Sequence, residues 1–524
     1  MGENIGGNMD FKKKEINTSV LKVSKQAELT VDDDFNIPDM KDDIDKVIAK
    51  NGYIVVEEIG CEEGKVRVAG TLYFTVLYKT VGKKSDIESL EGDIPFEQTV
   101  IMEGISRNNQ AECFSKLEDL SVAIINSRKV EVRCLIANAI SVYQDVKLDV
   151  ACDLENGQGI ECLYKDGTIT NTIVSKHDVF KIREEIEIPQ SKPNIKEILW
   201  SSVELKNMDV RPVEDKLSVR GEVEIFVIYK SQEEHLPIQY LFSARAIQKE
   251  VDCQGAREGM MLEAICTLGK GDVTIRGDKD NEERIMGIDY SVDMNIKLYE
   301  DQDLKLIWDL YSPSVEIIPK KENLDCHNLI MRNVAKAKIN HRENVGDDNN
   351  KILQVCHVYG SVWLDDVDIH QDSVSVEGIV KANVLYISAG EEPMSCMEID
   401  MPFSYTADTV PLSKDDSVRI YPSIDQLTAS LVNSQEIELK GMVSLNMSIF
   451  ARNSIEAITD MQLEPIDTAK KAAMPGIVGY VVKKGDTLWS VARKYYATTE
   501  SIRSVNGLES DLLNEGDKII VVKS

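Results

Sequence analysis

Gly70-Thr-Leu-Tyr-Phe-Thr-Val-Leu-Tyr78 is the stretch on which the fold turns. It returns as Gly221-Glu-Val-Glu-Ile-Phe-Val-Ile-Tyr229 and again as Gly378-Ile-Val-Lys-Ala-Asn-Val-Leu-Tyr386. Each copy follows an alternating lead-in: Lys65-Val-Arg-Val68, Lys216-Leu-Ser-Val219 and Ser373-Val-Ser-Val376. Outward from the glycine the match continues without gaps. Pro38, Lys41, Ile44 and Ile48 stand at one constant displacement from Pro189, Lys192, Ile195 and Leu199. Ile44, Val47, Gly52 and Gly70 stand at another from Ile352, Val355, Gly360 and Gly378. A constant offset over such a length marks an internal repeat, and missing a repeat mis-assigns the whole fold. Ile94-Pro95-Phe96, Tyr240-Leu241-Phe242 and Met401-Pro402-Phe403 recur as an expected turn marker. Leu120 and Asn126-Ser127 match Leu427 and Asn433-Ser434, with the second copy the most divergent in this late section.

The repeated unit reads as strand. Val66, Val68, Leu72, Phe74 and Val76 alternate with period two, as on a half-buried strand. Val130, Val132, Cys134 and Ile136 alternate likewise, as do Ile437, Leu439, Val443 and Leu445 around Gly441. A glycine at one place in three strands predicts a bulge or a close backbone approach. Ile44, Val47 and Ile48 have helical spacing, which predicts a short helix or turn ahead of the strands. The expected fold is mainly β: three repeated antiparallel β-rich domains, sandwich or barrel-like, then a small βααβ domain. Each repeat exceeds the 20–50 residues of a solenoid unit, so each can bury its own core. The expected boundaries are a flexible segment 1–27, repeats 28–150, 175–320 and 328–462, a linker 463–478 and a module 479–524. The third repeat has a divergent start, because it lacks the Ile-Pro-x-x-Lys opening.

The last module is compact. Tyr480 to Val482 reads as a short strand and Gly485 as a turn. Asp486 is placed to accept hydrogen bonds from the free amides of the coming helix. Leu488, Val491, Ala492 and Tyr495 share one apolar helix face. A second helix fits Glu500 to Val505, ending near Asn506-Gly507. Lys518 to Val522 closes the sheet. Gly485-Asp-Thr-Leu-Trp489, Asn506 and Gly516-Asp-Lys-Ile519 together resemble the LysM domain. LysM domains bind N-acetylglucosamine polymers in a groove between two loops, and the resemblance places those loops at Gly485 to Leu488 and Leu508 to Leu513. The expected binding residues are Gly485, Asp486, Thr487, Leu488, Trp489, Asn506, Leu508 and Leu512. A purely structural reading competes for several of them: Asp486 as a cap, Leu488 and Tyr495 as core, Trp489 as packing.

Bulk properties narrow the function classes. The chain of 524 residues carries 90 acidic and 60 basic side chains, a formal net charge of −30. Such a field disfavours a phosphate backbone, so nucleic acid is not an expected partner. The opening residues lack the apolar core of a secretory signal, and no stretch reaches the roughly 18 apolar residues of a membrane span. A cytosolic setting is expected, with the ten cysteines as buried free thiols, none at CxxC spacing. The six histidines form no HxH or HExxH pattern. Cys326-His327 and Cys356-His357 are adjacent pairs, which point to opposite faces of a strand. Gly269-Lys270-Gly271 lacks the rest of a phosphate loop. Asp278-Lys-Asp280-Asn-Glu282 begins like a calcium loop and then puts Glu283 where glycine is required. No nucleophile elbow appears. No catalytic residue, metal site or cofactor is expected.

Ile37-Pro-Asp-Met-Lys-Asp-Asp-Ile44, Ile188-Pro-Gln-Ser-Lys-Pro-Asn-Ile195, the three Gly-x7-Tyr strands and the LysM ending together resemble the SPOCS family of spore-coat proteins, over nearly the whole chain. The resemblance implies a non-enzymatic adaptor in endospore coat morphogenesis. It would act in the mother-cell cytoplasm, at the outer forespore surface. Its implied partner is a SpoIVA-like morphogenetic ATPase of the coat basement layer, with further coat proteins beyond it. The LysM module would contribute to that docking, and glycan is the alternative ligand.

Overall fold

The computed structural model describes residues 10–82, 86–155, 157, 159–233, 235–345, 351–389 and 394–523. The first repeat comprises β1 (Asp10–Asn36), β2 (Ile44–Glu62), β3 (Lys65–Thr80), β4 (Ile87–Ile101), β5 (Gln110–Asn126) and β6 (Lys129–Glu155). The second comprises β7 (Glu161–Glu187), β8 (Ile195–Val213), β9 (Lys216–Ser231), β10 (Ile238–Asp252), β11 (Met261–Gly277) and β12 (Glu283–Tyr311). The third comprises β13 (Val315–Asn344), β14 (Ile352–Ile369), β15 (Ser373–Ser388), β16 (Ser395–Asp408), β17 (Ser417–Asn433) and β18 (Glu436–Pro465). In each repeat the first, sixth and fifth strands make one antiparallel sheet, and the second, third and fourth make another. Val66, Val68, Leu72, Phe74 and Val76 of β3 meet Val130, Val132, Cys134 and Ile136 of β6 in one core. The repeat is therefore a sandwich, and its two central strands supply the core because they alternate most regularly. Each such side chain contributes about 1.5–3 kcal/mol by leaving water.

Two local expectations change and one is decided. Ile44, Val47 and Ile48 lie in a strand, not a helix. Register shifts fall between Ile44 and Lys46 and between Val47 and Ala49. Each bulge inserts one residue, which stretches the apolar period from two toward three. The same pair of bulges recurs in β8 and β14. The expected turn at Ile94-Pro95-Phe96 is the middle of edge strand β4, where the missing proline amide faces no partner strand. Gly70 pairs with Phe96 across the sheet, and Gly378 with Phe403. A Cβ at Gly70 would stand 2.4 Å from the Val55 carbonyl oxygen and 2.9 Å from the Phe96 ring. The glycine thus answers a close approach.

The Ile-Pro turn has a partner that the sequence reading missed. Arg128 lies at the β5–β6 hairpin. Its guanidinium donates to the carbonyls of Lys41 at 2.6 Å and of Ile37 and Pro38 at 2.9 Å. Arg284 does the same for Lys192, Ile188 and Pro189. In the third repeat Val345 donates to the carbonyl of Gln435, as Ile37 does to Arg128. Lost arginine and lost Ile-Pro opening therefore go together. Arg128→Ala is expected to cost about 1–2 kcal/mol, discounted for its partly exposed guanidinium. Faster hydrogen exchange at the Lys41 amide, with no change at Lys192, checks it.

Residues 10–27 were expected to be flexible, yet they form the first half of β1; residues 1–9 lie outside the described chain. The outer strands run past the sandwich in every repeat. Bulges after Leu21, Thr172 and Leu329 stand at equivalent places where the ribbons leave the sandwiches. Beyond them the three ribbons pack together as a hub. Ile16, Ile169 and Cys326, one from each ribbon, share one core, joined by Val150, Leu304 and Ala457. Backbone amides link successive ribbons: the Asn17 amide donates to Asn171 at 2.9 Å, and the Thr170 amide to Asn328 at 3.2 Å. The hub explains why apolar alternation continues outside the expected repeat boundaries.

Two further junctions close the assembly. At one, Ala49, Trp200 and His357 pair with Leu77, Ile228 and Leu385 at equivalent registers. Trp200 and the three partners are fully buried. A small side chain beside two large rings fills a space that three equal residues would not. His357 stacks on Phe226 at 4.1 Å, and its Nε2 is cut off from solvent. Burial, helped by the nearby Lys206 charge, pushes its pKa down to about 3. The folded state therefore holds the neutral ring, while the unfolded chain takes a proton near pH 6.5. Stability is full above that value and falls as pH drops toward about 3, by up to about 1.4 kcal/mol per pH unit. His357→Leu should flatten this slope in urea titrations between those limits.

At the other junction charges are buried. Glu112, Glu263 and Arg419 are each the third residue of β5, β11 and β17. Arg419 binds Glu263 at 3.3 Å, and Lys297 binds Glu112 at 2.8 Å. Tyr299 donates to Glu263 at 3.1 Å. Tyr143 and Phe450 lie under the Arg419 guanidinium at 4.8 Å and 4.2 Å. Three identical charges at this place would repel across the junction. Two carboxylates and two cations balance.

Candidate binding site in the C-terminal module

After β18 the expected linker 463–478 is ordered. Leu463 to Pro465 complete β18, and α1 (Thr468–Ala473) follows. Lys471 donates to the Pro313 carbonyl at 2.8 Å, and Lys523 donates to Lys471 and Met474 carbonyls at 2.7 and 2.9 Å. These bonds tie α1 to both its neighbours, so its length works as a fixed spacer. The module itself is β19 (Ile477–Val481), α2 (Leu488–Lys494), α3 (Thr499–Asn506) and β20 (Lys518–Val522), with the two strands antiparallel. Val482, Leu488, Val491, Ala492, Ile502 and Ile519 form its core.

The first loop is exposed at Gly485 and Thr487. Gly485 has φ +90°, which suits glycine alone at little cost. Asp486 is not the helix cap. It accepts from the Lys483 amide at 2.8 Å and the Tyr480 hydroxyl at 2.7 Å, which fixes the turn before the helix. Those bonds hold its carboxyl below the usual range and raise the Tyr480 phenol to about 12. Thr487 is the cap: its hydroxyl accepts from Ser490, whose hydroxyl accepts from Thr487 in return. Leu488 is 1 % exposed, so it belongs to the core. Asn506 is structural: its amide group bridges α3 to β20 through Ile502 and Ile520 at 2.7 Å. Leu508 packs half-buried on the module core. Leu512 is 83 % exposed. Of the eight expected residues, Gly485, Thr487 and Leu512 present an open surface.

Trp489 points the other way, onto the hub. Its indole donates to Asp309 at 2.9 Å, and Arg493 donates to the same oxygen at 2.7 Å. Tyr311 meets the Trp489 ring edge-on at 4.7 Å, joins the module's core and donates to the Ala497 carbonyl at 2.9 Å. Thr499 donates to Glu161 at 2.8 Å. Asp309 and Tyr311 end β12, just past the bulge that skips Trp308. Bulges re-aim side chains, and here one turns the strand end toward the module. Sequence reading missed Asp309, Tyr311 and Glu161, since nothing local marks a strand end that receives a distant helix.

Elsewhere the structure offers little chemistry. The Asp278 carboxylate accepts the amides of Asp280 and Glu282, which closes a hairpin turn. None of the ten cysteines forms a disulfide; Cys134, Cys253 and Cys326 are buried and the rest half-buried. Burial raises Cys113 to about 11 and Cys266 and Cys396 to about 12, so they rest as thiols. Among the described residues no helix is long and apolar enough to cross a membrane.

Comparison with known families is informative at this point. The family described as SipL, SPOCS domain matches residues 43–125, 194–276 and 351–432. Each match runs from β2, β8 or β14 to β5, β11 or β17, and leaves the hub ribbons outside. The LysM domain matches residues 480–522. No solved structure matches the chain. Neither family is a known enzyme family, and together they support a sporulation-related coat protein. Three matches in tandem and one closing module make this chain a member of the SipL family of SPOCS-domain proteins.

Proposed function

We propose that the protein is a non-enzymatic adaptor in endospore coat morphogenesis. It works in the mother-cell cytoplasm, at the outer forespore surface, and binds a SpoIVA-like ATPase of the coat basement layer. The observation that carries this reading is the orientation of the LysM module. Its Trp489 face is clamped to the hub, while the loops at Gly485 to Thr487 and around Leu512 stay exposed. A rigid body that presents one module in one direction suits an adaptor between a layer and its coat. Full-length protein should retain the ATPase from a sporulating lysate. Leu512→Arg should abolish capture without moving the melting temperature, because that side chain is exposed and caps nothing. Failure of the wild-type chain to retain the ATPase would sink the proposal.

A second reading rests on the Gly485 to Trp489 signature with its exposed loop: the module binds N-acetylglucosamine polymers. Calorimetric titration with chitin and peptidoglycan oligomers decides it. A flat titration into the millimolar range removes it.

A further inference from the structure

Where the three sandwiches meet, they line a half-open cavity of about 1520 Å³. All three repeats line it. Phe114, Met208, Met260, Met261, Trp363 and Tyr421 supply apolar and aromatic wall. Lys116, Thr267 and Ser423 are each the seventh residue of β5, β11 and β17, and all three line the space. At that strand position only the first repeat has a cation.

The Lys116 ammonium donates to the Val362 carbonyl at 3.1 Å and lies 5.3 Å from the Trp363 ring centre. Among the described residues no carboxylate comes within ion-pair distance of it. Other charged residues share the wall, among them the half-buried Glu118 on β5. Asp425 binds Lys336 at 2.9 Å, and Asp209 binds Arg211 at 2.8 Å. Glu28 and Asp365 face solvent. Lys381 donates to the Glu118 carbonyl at 3.4 Å. Arg332 adds a second, partly buried cation to the same wall. Burial alone lowers Lys116 to about 8, so at neutral pH it is still largely charged. A charge withdrawn from water is costly unless it is paired. A roomy apolar wall beside it rewards the entry of a hydrocarbon or aromatic body.

We propose that this cavity binds a small amphipathic molecule with one anionic head, the head at Lys116 and the body against the Met208, Met260 and Met261 wall. A carboxylate and a phosphate monoester share this chemistry. The site is separate from the LysM loops and does not depend on what they bind.

The test uses the full chain and 1-anilinonaphthalene-8-sulfonate, a fluorescent anion with an aromatic body. Its fluorescence should rise saturably, with one probe per chain. Laurate or dodecyl phosphate should displace it at concentrations at least tenfold below those of dodecanol, and the stronger of the two identifies the head group. Lys116→Met should weaken the probe at least tenfold while the melting temperature holds or rises. Lys116→Arg should keep binding. The proposal is overturned by unsaturable fluorescence, by dodecanol competing as well as the anions, or by full affinity in Lys116→Met. The competition series needs no variant, so it decides even where a substitution fails to fold.

Discussion

Arg419→Met lowers the stability of the assembled chain by about 3–5 kcal/mol, as expected when one partner of a buried ion pair is removed. The reason lies in what remains. Glu263 would stay buried, 7 % exposed, with the Tyr299 hydroxyl as its hydrogen-bond donor and only the Lys297 and Arg332 charges, which make no ion pair with it, nearby. The aromatic faces of Tyr143 and Phe450 would lose their cation as well. Removing both charges is different in kind. Arg419→Met with Glu263→Gln leaves no orphaned ion, and it should recover most of the loss. Urea unfolding followed by circular dichroism separates the two variants. An unchanged midpoint for Arg419→Met alone would mean that water reaches the junction and screens the pair. A double variant as unstable as the single one would mean that the cation, and not the orphaned carboxylate, carries the effect.

The second large effect concerns the module. Tyr311→Ala removes a buried ring shared by two bodies, at about 3–5 kcal/mol for a large-to-small change of this kind. It also removes the hydrogen bond to Ala497. Asp309→Ala takes away the common acceptor of Trp489 and Arg493. Both substitutions should release the LysM module from the hub without unfolding it, because its core is otherwise its own. Proteolysis within residues 463–478 should become fast, while the released module keeps its melting transition. Trp489→Ala should behave in the same way. Loss of partner capture in that variant would therefore report lost orientation, whereas the loop variant at Leu512 reports lost contact. Release without any gain in cleavage would show that α1 and Lys523 hold the module by themselves.

Much of this architecture is legible from residue order. The period-two alternation around Gly70 and its two copies identifies the central strands, since a sheet buries every second side chain. The Gly485 to Trp489 signature identifies the module. Both signals are local, which is why they survive without a structure. The misreadings share a cause. Ile44, Val47 and Ile48 imitate a helix because two bulges fall within a few residues. Residues 10–27 look unanchored because β1 pairs with β6, more than a hundred positions later. Arg128 looks like an ordinary surface cation until Pro38 is folded beneath it.

Sequence alone determined that there are three β-repeats and one LysM module, because periodicity and motif spacing are properties of neighbouring residues. Tertiary structure decided how they are joined. It made the third residues of β5, β11 and β17 into a balanced ionic junction. It gave Lys116 a cavity, and it turned Trp489 from a groove residue into an anchor on Asp309 and Tyr311. Such roles depend on which distant strands arrive beside a side chain. Burial and charge pairing are set by that arrival, and no local pattern encodes it.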